Sequence, residues 1–256
     1  MRSVEREIVV RVPVEVVWQA LTDPTELCRW FPLRAEVTPG PGGRIRMQWA
    51  DGEEMSGPIE RWEPGQRLRL STESAAGVRI ATDHYLRAEG GSTVLRVVSS
   101  GFGPDEDWDE LYEAWGRGWD FELRGMRHYL EHHRGTPRVV ACARVPYRVT
   151  HEEMWRRLVG PGGWLGAAGL TNLAEGERYA VRTATGHSLA GVVHNWQPPR
   201  QFSGTAEGWN NGLVRIELFD SVATVWLSTY GLAETALAEV QASWRSSLIG
   251  AGSASD

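Results

Sequence analysis

The longest apolar pattern in the chain lies between Asp107 and His133. Large apolar side chains recur there every three or four residues, which is the spacing of one face of an α-helix. They are Leu111, Trp115, Trp119, Leu123, Met126 and Leu130. Five acidic residues between positions 105 and 110 lie at its start, while histidines, Arg134 and Gly135 close it, as the helix dipole and a helix stop favour. The pattern predicts one helix of about 26 residues, roughly 39 Å long.

Shorter segments before this helix alternate between apolar and polar residues, the pattern of half-buried strands. Turn sequences separate them, namely Asp51-Gly52, Glu63-Pro64-Gly65 and Glu89-Gly90-Gly91. The predicted strands are 8–12, 44–49, 55–62, 68–72, 78–88 and 93–99, and the predicted short helices are 14–21 and 26–31. The order is therefore strand, two helices, antiparallel meander and long helix. We predict an α+β fold in which the long helix covers a curved sheet.

The second half of the chain repeats this order. The matching segments are 10–13 and 143–146, 57–64 and 191–198, and 93–99 and 223–229. The matching tryptophans are Trp18 and Trp155, Trp62 and Trp196, and Trp119 and Trp244. The offset between copies falls from 137 to 125 along the chain, as small loop deletions would produce. We therefore predict tandem copies of one domain at 1–134 and 138–250, followed by a disordered tail at 251–256.

The first copy resembles the START-like helix-grip superfamily called SRPBCC, in its bacterial branch related to the activator of the heat-shock-protein-90 ATPase. The residues that carry the resemblance are Ile8-Val9-Val10 with Pro13, VWQALTDPTELCRWF at 17–31, Gly57-x-Ile59, Pro64-Gly65-x-x-Leu68, Thr93-x-Leu95 with Ser100-Gly101-Phe102, and Gly118-Trp119. The second copy lacks the TDPxxLxRWF segment and has Gly160 to Gly169 in its place. We therefore interpret it as a shorter, degenerate copy.

The resemblance implies two tandem helix-grip domains, each a curved antiparallel sheet wrapped around a long C-terminal helix. It also implies a cavity between sheet and helix that often takes apolar or aromatic small molecules. It does not imply one reaction, because the relatives include lipid carriers, polyketide aromatase/cyclases and a co-chaperone domain.

His84 is the one titratable side chain that strand alternation places on the predicted inner face. If the strand 93–99 turns Leu95 inward, its neighbour turns Thr82 and His84 to the same side. Burial lowers the pKa of a histidine, so we expect a neutral imidazole that bonds a ligand carbonyl or phenol, or moves a proton. A histidine satisfied within the core, by Thr82 or Tyr112, is the alternative.

Aromatic and methionine side chains are predicted to line the binding site with His84. The candidate ligand-binding residues are Met47, Trp49, His84, Tyr112, Trp115, Trp119 and Met126. For each of them, plain core packing is the alternative. The expected partner is a hydrophobic or aromatic small molecule, with no cofactor, no metal and no evident catalysis. Two alternatives stay open: a cyclase or aromatase-like enzyme with His84 as acid/base, and a co-chaperone-like interaction module.

Composition excludes several classes of function. All 27 basic residues are arginine, so Schiff-base, P-loop and kinase-type lysine chemistry is impossible. A net charge of −6 indicates no nucleic-acid partner. No apolar run is long enough to span a membrane and no signal sequence is evident, so a cytoplasmic protein is expected. The two cysteines, Cys28 and Cys142, form no CxxC pair. We expect the two domains to pair as an intramolecular pseudo-dimer, with homo-oligomers possible.

Three apparent motifs are weak by their context. The HxxEH pattern at 128–132 lies at a helix end, where histidine is favoured electrostatically, and has no evident third zinc ligand. Gly186-His-Ser188-Leu-Ala190 nearly spells a GxSxG nucleophile elbow, but the repeat places it in a hairpin. The acidic run at 105–110 lacks the spacing of a calcium loop.

Overall fold

The computed structural model describes residues 2–73 and 77–252. The chain forms two compact units, Met1–Thr136 and Pro137–Asp256, which we call the first and second domains. The division falls inside the segment 134–138 that separates the two sequence repeats.

The first domain contains seven strands and three α-helices within its described residues. The strands are β1 (Arg2–Val10), β2 (Arg34–Thr38), β3 (Arg44–Gln48), β4 (Glu54–Glu63), β5 (Arg67–Glu73), β6 (Arg79–Glu89) and β7 (Ser92–Phe102). The helices are α1 (Val14–Thr22), α2 (Pro24–Cys28) and α3 (Asp109–His128). The strands form one antiparallel sheet in the order β1-β7-β6-β5-β4-β3-β2. The first strand therefore pairs with the last, and the meander runs back from it.

The second domain repeats this topology with one strand fewer among its described residues. Its strands are β8 (Arg138–Pro146), β9 (Arg178–Arg182), β10 (Ser188–Gln197), β11 (Gln201–Ala206), β12 (Gly212–Phe219) and β13 (Val222–Tyr230). Its helices are α4 (His151–Val159) and α5 (Glu234–Gly252). The sheet order is β8-β13-β12-β11-β10-β9, again with the first strand beside the last. The fold is α+β, with two tandem helix-grip domains, as the sequence predicts.

The long helix of the first domain is α3 with one turn added at each end. A 3₁₀ turn (Glu106–Trp108) precedes it, and a π-helical turn (Tyr129–His133) continues it. Within the π-helical turn Tyr129 is fully buried; its hydroxyl donates to Glu26 Oε2 at 2.7 Å and accepts from the Gly135 N–H at 3.0 Å. The predicted helix is therefore confirmed in extent, and its end is tied to α2.

Three arginines along β1 and just beyond it each pair with an acidic residue on the long helix. The pairs are Arg2–Asp109, Arg6–Asp120 at 2.6 Å, and Arg11–Glu131 at 2.7 Å. The acidic partners are spaced 11 residues apart, about three helical turns, so they lie on one face of the helix. Four or five strand residues span a similar length. Because β1 is an edge strand, this ladder fixes α3 along an otherwise open edge of the sheet.

Matched tryptophans form the same contact in both domains. In the first, Trp18 of α1 meets Trp62 of β4 edge to face, with ring centroids 5.2 Å apart. In the second, Trp155 of α4 meets Trp196 of β10 with centroids 5.6 Å apart. The repeat found in the sequence is therefore a repeat of side-chain contacts, each joining the domain's first helix to its sheet.

The structure adds one strand to the prediction and corrects two boundaries. The strand β2 was not predicted, and β1 begins six residues earlier than the predicted start at Ile8. Ala251 and Gly252 belong to α5, although the sequence assigned them to a tail. The remaining tail residues, 253–256, lie outside the described residues.

The ion-pair ladder predicts a measurable coupling between strand and helix. In a double-mutant cycle with Arg6→Ala and Asp120→Ala, we expect a coupling energy of about 0.5–1 kcal/mol, because both side chains are partly exposed. Urea unfolding of the four proteins at low salt would measure it. The exposed pair Arg79–Glu73 serves as the control, with a smaller expected coupling. Equal coupling energies for the two pairs would contradict the role of the ladder in fixing α3 to β1.

Candidate functional site

The inner face of the first sheet carries a buried histidine beside a tryptophan of α3. His84 lies on β6 opposite Val97 of β7 and is only 4% exposed. Its ring meets the indole of Trp119 edge to face, with centroids 5.7 Å apart. The neighbouring residue Asp83 points to the other face, where Arg67 binds its carboxylate at 2.8 Å. The alternation predicted for β6 is therefore confirmed.

Burial sets the charge of His84. Desolvation lowers its pKa from 6.5 to about 4, while a hydrogen bond with the backbone of Leu68 and the charge of Asp83 act in the opposite direction. The imidazole is therefore neutral near pH 7. Its Nδ1 is buried and has no hydrogen-bond partner among the described residues. Thr82 and Tyr112, the two partners expected for a satisfied core histidine, bond elsewhere, to Ser99 and Ser3 respectively.

Hydrogen bonds fix the orientation of Trp119. Its Nε1–H donates to Ser99 Oγ at 3.0 Å, and Ser99 Oγ lies 2.9 Å from Thr82 Oγ1. An indole N–H is a donor only, so the Ser99 oxygen is the acceptor in the first bond. The two hydroxyls thus satisfy each other and the indole within the core, and the His84 nitrogen is left out of this chain of bonds.

Phe31 extends the aromatic group toward β3. It stacks on Trp30 at 4.9 Å, meets Trp49 edge to face at 5.2 Å, and lies 5.7 Å from Trp119, all measured between ring centroids. His84, Trp119, Phe31 and Trp49 therefore form one contiguous aromatic group. Sequence reasoning omitted Phe31 and Ser99 from the site. Phe31 closes the 17–31 segment, which could have identified it; Ser99 continues the inward series of β7.

Two candidate residues lie in a different group. Tyr112 and Trp115, near the start of α3, both meet Phe102, with centroid distances of 5.4 and 5.9 Å. The Tyr112 hydroxyl donates to the carbonyl of Ser3 at 3.1 Å. Tyr112 and Trp115 therefore pack apart from His84, and a role for either in ligand binding stays a prediction. Met47 and Met126 are buried, and a ligand cavity beside His84 stays a prediction.

The second domain has a different interior at the equivalent positions. Val214 pairs with Leu227 as His84 pairs with Val97, each 130 residues later in the chain, and Val214 is fully buried. Trp244, the counterpart of Trp119, contacts Trp164 at 5.2 Å between ring centroids and donates its Nε1–H to His187 Nδ1 at 3.1 Å. The second domain therefore has no imidazole at the position that corresponds to His84.

The three weak motifs occupy structural positions. Glu131 of HxxEH accepts hydrogen bonds from Arg11, and no set of three potential metal ligands is found in the described part of the chain. Gly186 and Ser188 belong to the hairpin that joins the antiparallel strands β9 and β10, as predicted. Asp109 of the acidic run pairs with Arg2. Among the described residues, no helix is both long and apolar enough to cross a membrane.

Comparison with protein families agrees with this architecture. The family model described as Activator of Hsp90 ATPase homolog 1-like protein matches residues 11–131, nearly all of the first domain. The first domain belongs to this family. We refer to it as the AHSA1-like domain. No curated protein sequence matches the chain.

Solved structures resemble one or both domains. MLL2253 from Mesorhizobium loti is 24% identical over 52% of this chain and 98% of its own, with a TM-score of 0.48. DynU16, from the dynemicin biosynthetic locus, is 19% identical over 97% of both chains, with a TM-score of 0.48. The di-domain ARO/CYC BexL from the BE-7585A biosynthetic pathway is 14% identical over the full length of both, with a TM-score of 0.49.

His84 predicts a pH-dependent stability for the AHSA1-like domain. Its folded pKa of about 4 lies below the unfolded value of 6.5, so between these pH values only the unfolded chain binds the proton. Stability should therefore fall as the pH decreases from 7 to 5, with about 2 kcal/mol of the change due to His84. Urea unfolding of the wild type and of His84→Leu at both pH values isolates that part. Identical pH dependence in the two proteins would contradict a buried neutral imidazole.

Proposed function

We propose that the first domain binds a hydrophobic or aromatic small molecule between its sheet and α3. The observation that carries this proposal is the His84 imidazole, buried beside Trp119 with its Nδ1 unbonded among the described residues. A buried polar atom without a partner costs about 1–3 kcal/mol. A ligand with a hydroxyl or carbonyl group on a ring would relieve that cost and would bury its own apolar surface.

The aromatic group supports a planar ligand. Trp119, Phe31 and Trp49 supply flat faces and edges in continuous contact. Hydrogen bonds fix the positions of these rings. Trp119 donates to Ser99, and Trp30, which stacks on Phe31, donates its Nε1–H to the Ala20 carbonyl at 2.8 Å. Phe31 and Trp49 are only partly buried, so we expect a ligand to enter from their side. Apolar burial on such rings provides about 25 cal/mol per Å².

The chemistry of His84 favours binding over catalysis. A general base works best when its pKa lies near the working pH. The pKa of His84, about 4, makes its neutral form a weak base but a competent hydrogen-bond partner at neutral pH. The unbonded nitrogen can accept a hydrogen bond from a phenol hydroxyl or donate one to a carbonyl, according to which nitrogen carries the hydrogen.

A cyclase or aromatase-like enzyme is the second candidate. The same unbonded Nδ1 supports it, because a nitrogen without a structural partner is available to move a proton at a substrate. The two candidates differ in one measurement. For the enzyme, His84→Gln should abolish turnover of a polyketide-type substrate while binding persists. For the binding protein, no turnover occurs in either form.

Replacing His84 by valine reproduces the residue found at the equivalent position of the second domain. We expect His84→Val to keep or raise the free energy of unfolding at pH 7, because an unsatisfied buried polar group is removed. We also expect the loss of any preference for ligands that carry a polar group. Native mass spectrometry with one- to three-ring phenols, each paired with its parent hydrocarbon, would measure that preference.

The expected wild-type preference for a phenol over its hydrocarbon is about tenfold, one hydrogen bond's worth. His132→Ala, which removes an exposed histidine from the same domain, is the matched control and should keep the preference. Binding of no member of the set by the wild type, or an equal preference in wild type and His84→Val, would contradict the proposal.

A further inference from the structure

A pocket of about 300 Å³ opens on the second domain and is independent of the site around His84. Its walls come from the end of α4, the following loop, the turn between β9 and β10, and α5. The lining includes Arg156, Arg157, Gly162, Gly163, Trp164 and Ser247. This volume lies at the small end of the range for ligand sites. The side chains that line it provide two cations, an indole and one hydroxyl, and no carboxylate.

One carboxylate outside the lining holds both cations in place. Glu153 accepts from Arg156 through both of its oxygens, at 2.7 and 2.8 Å, and from Arg157 Nε at 2.7 Å. Arg157 also donates to the Ala251 carbonyl at 3.0 Å. The two guanidinium groups hold the pKa of Glu153 down to about 2, so it stays ionised at neutral pH. This group of three side chains therefore keeps one net positive charge, on arginines that are already positioned.

The backbone around the pocket has its acceptors occupied. The N–H groups of Gly160, Trp164, Leu165 and Leu170 donate to the last four carbonyls of α4, those of residues 156–159. These are the carbonyls that a helix end normally leaves unsatisfied. The N–H groups of the loop therefore offset part of the negative partial charge that would repel an anion at a helix C-terminus.

Trp164 forms an apolar wall with an unused donor. It is 3% exposed and is braced edge to face by Trp244, at 5.2 Å between centroids. Its Nε1–H has no hydrogen-bond acceptor within the described part of the chain. An indole nitrogen can only donate, so the partner it lacks is an acceptor.

We propose that this pocket binds a small organic anion, an aromatic carboxylate, through the Arg156 guanidinium and the Trp164 indole. The carboxylate supplies acceptors to a site that offers donors, and a planar guanidinium matches its two oxygens. The ring packs on the indole. Arg157 contributes charge but is held by Ala251, so Arg156 provides the principal contact.

The test uses the full-length protein with sodium benzoate, sodium acetate and sodium phosphate at constant ionic strength. The indole ¹⁵N–¹H resonance of Trp164, assigned from its absence in Trp164→Phe, reports occupancy. We expect saturable shifts of this resonance with benzoate, at least fivefold tighter than with acetate or phosphate. Arg156→Ala should weaken benzoate binding about tenfold.

Arg178→Ala is the matched control, since Arg178 pairs with Glu207 in the same domain and does not line the pocket. It should leave benzoate affinity unchanged. Glu153→Gln, which removes the negative charge beside the arginines, should tighten binding. No saturable shift of the Trp164 resonance, equal losses in Arg156→Ala and Arg178→Ala, or no preference for benzoate over phosphate would each overturn the proposal.

Discussion

In each domain, the packing of the last helix on the sheet depends on one buried tryptophan of that helix, Trp119 in the first and Trp244 in the second. Trp119 joins α3 to β7 through Ser99, to β6 through His84, and to the α2–β2 segment through Phe31. Such a large side chain fixes both the depth and the rotation of the helix over the sheet. Trp244 has the same role in α5, but a hairpin histidine and a loop tryptophan are its partners. The two domains therefore share the position of this tryptophan in the last helix, while the residues that it contacts differ.

The difference between the copies lies mainly in the segment that follows the first helix. In the first domain, α2 and the residues after it bring Phe31 against Trp119. In the second, the glycine-rich loop brings Trp164 against Trp244 and caps α4 with its own N–H groups. Gly169 of this loop has a φ of +59°, and a Cβ there would lie 2.4 Å from the Gly160 carbonyl carbon. The loop thus substitutes for a helix because it can fold back on the helix end.

Local patterns revealed more of this molecule than long-range ones. Strand alternation placed His84 inward correctly, because the side-chain period of a strand depends on its own residues only. The helical stripe gave the length of α3 for the same reason. The strand β2 was not predicted, because Arg34–Thr38 contains only two apolar residues, Ala35 and Val37. No local pattern encodes contacts between residues more than 100 positions apart. The ion pair of Arg6 with Asp120 and the hydrogen bond of Tyr112 to the Ser3 carbonyl are of this kind.

The internal repeat also bears on the meaning of His84. The second domain keeps the same strand order. At the position of His84 it has Val214, which is fully buried and pairs with Leu227. The fold therefore does not require an imidazole there. Ser99 and Thr82 show that the first domain can satisfy buried polar atoms when they serve packing alone, since each has a partner. Beside them the Nδ1 of His84 has no partner among the described residues, and neither has the Nε1 of Trp115 in the same domain. Departures from local consistency concentrate at functional or strained sites. Of these two atoms, only the Nδ1 of His84 belongs to a residue of the aromatic group with Trp119, Phe31 and Trp49, and the proposed ligand site therefore rests on it.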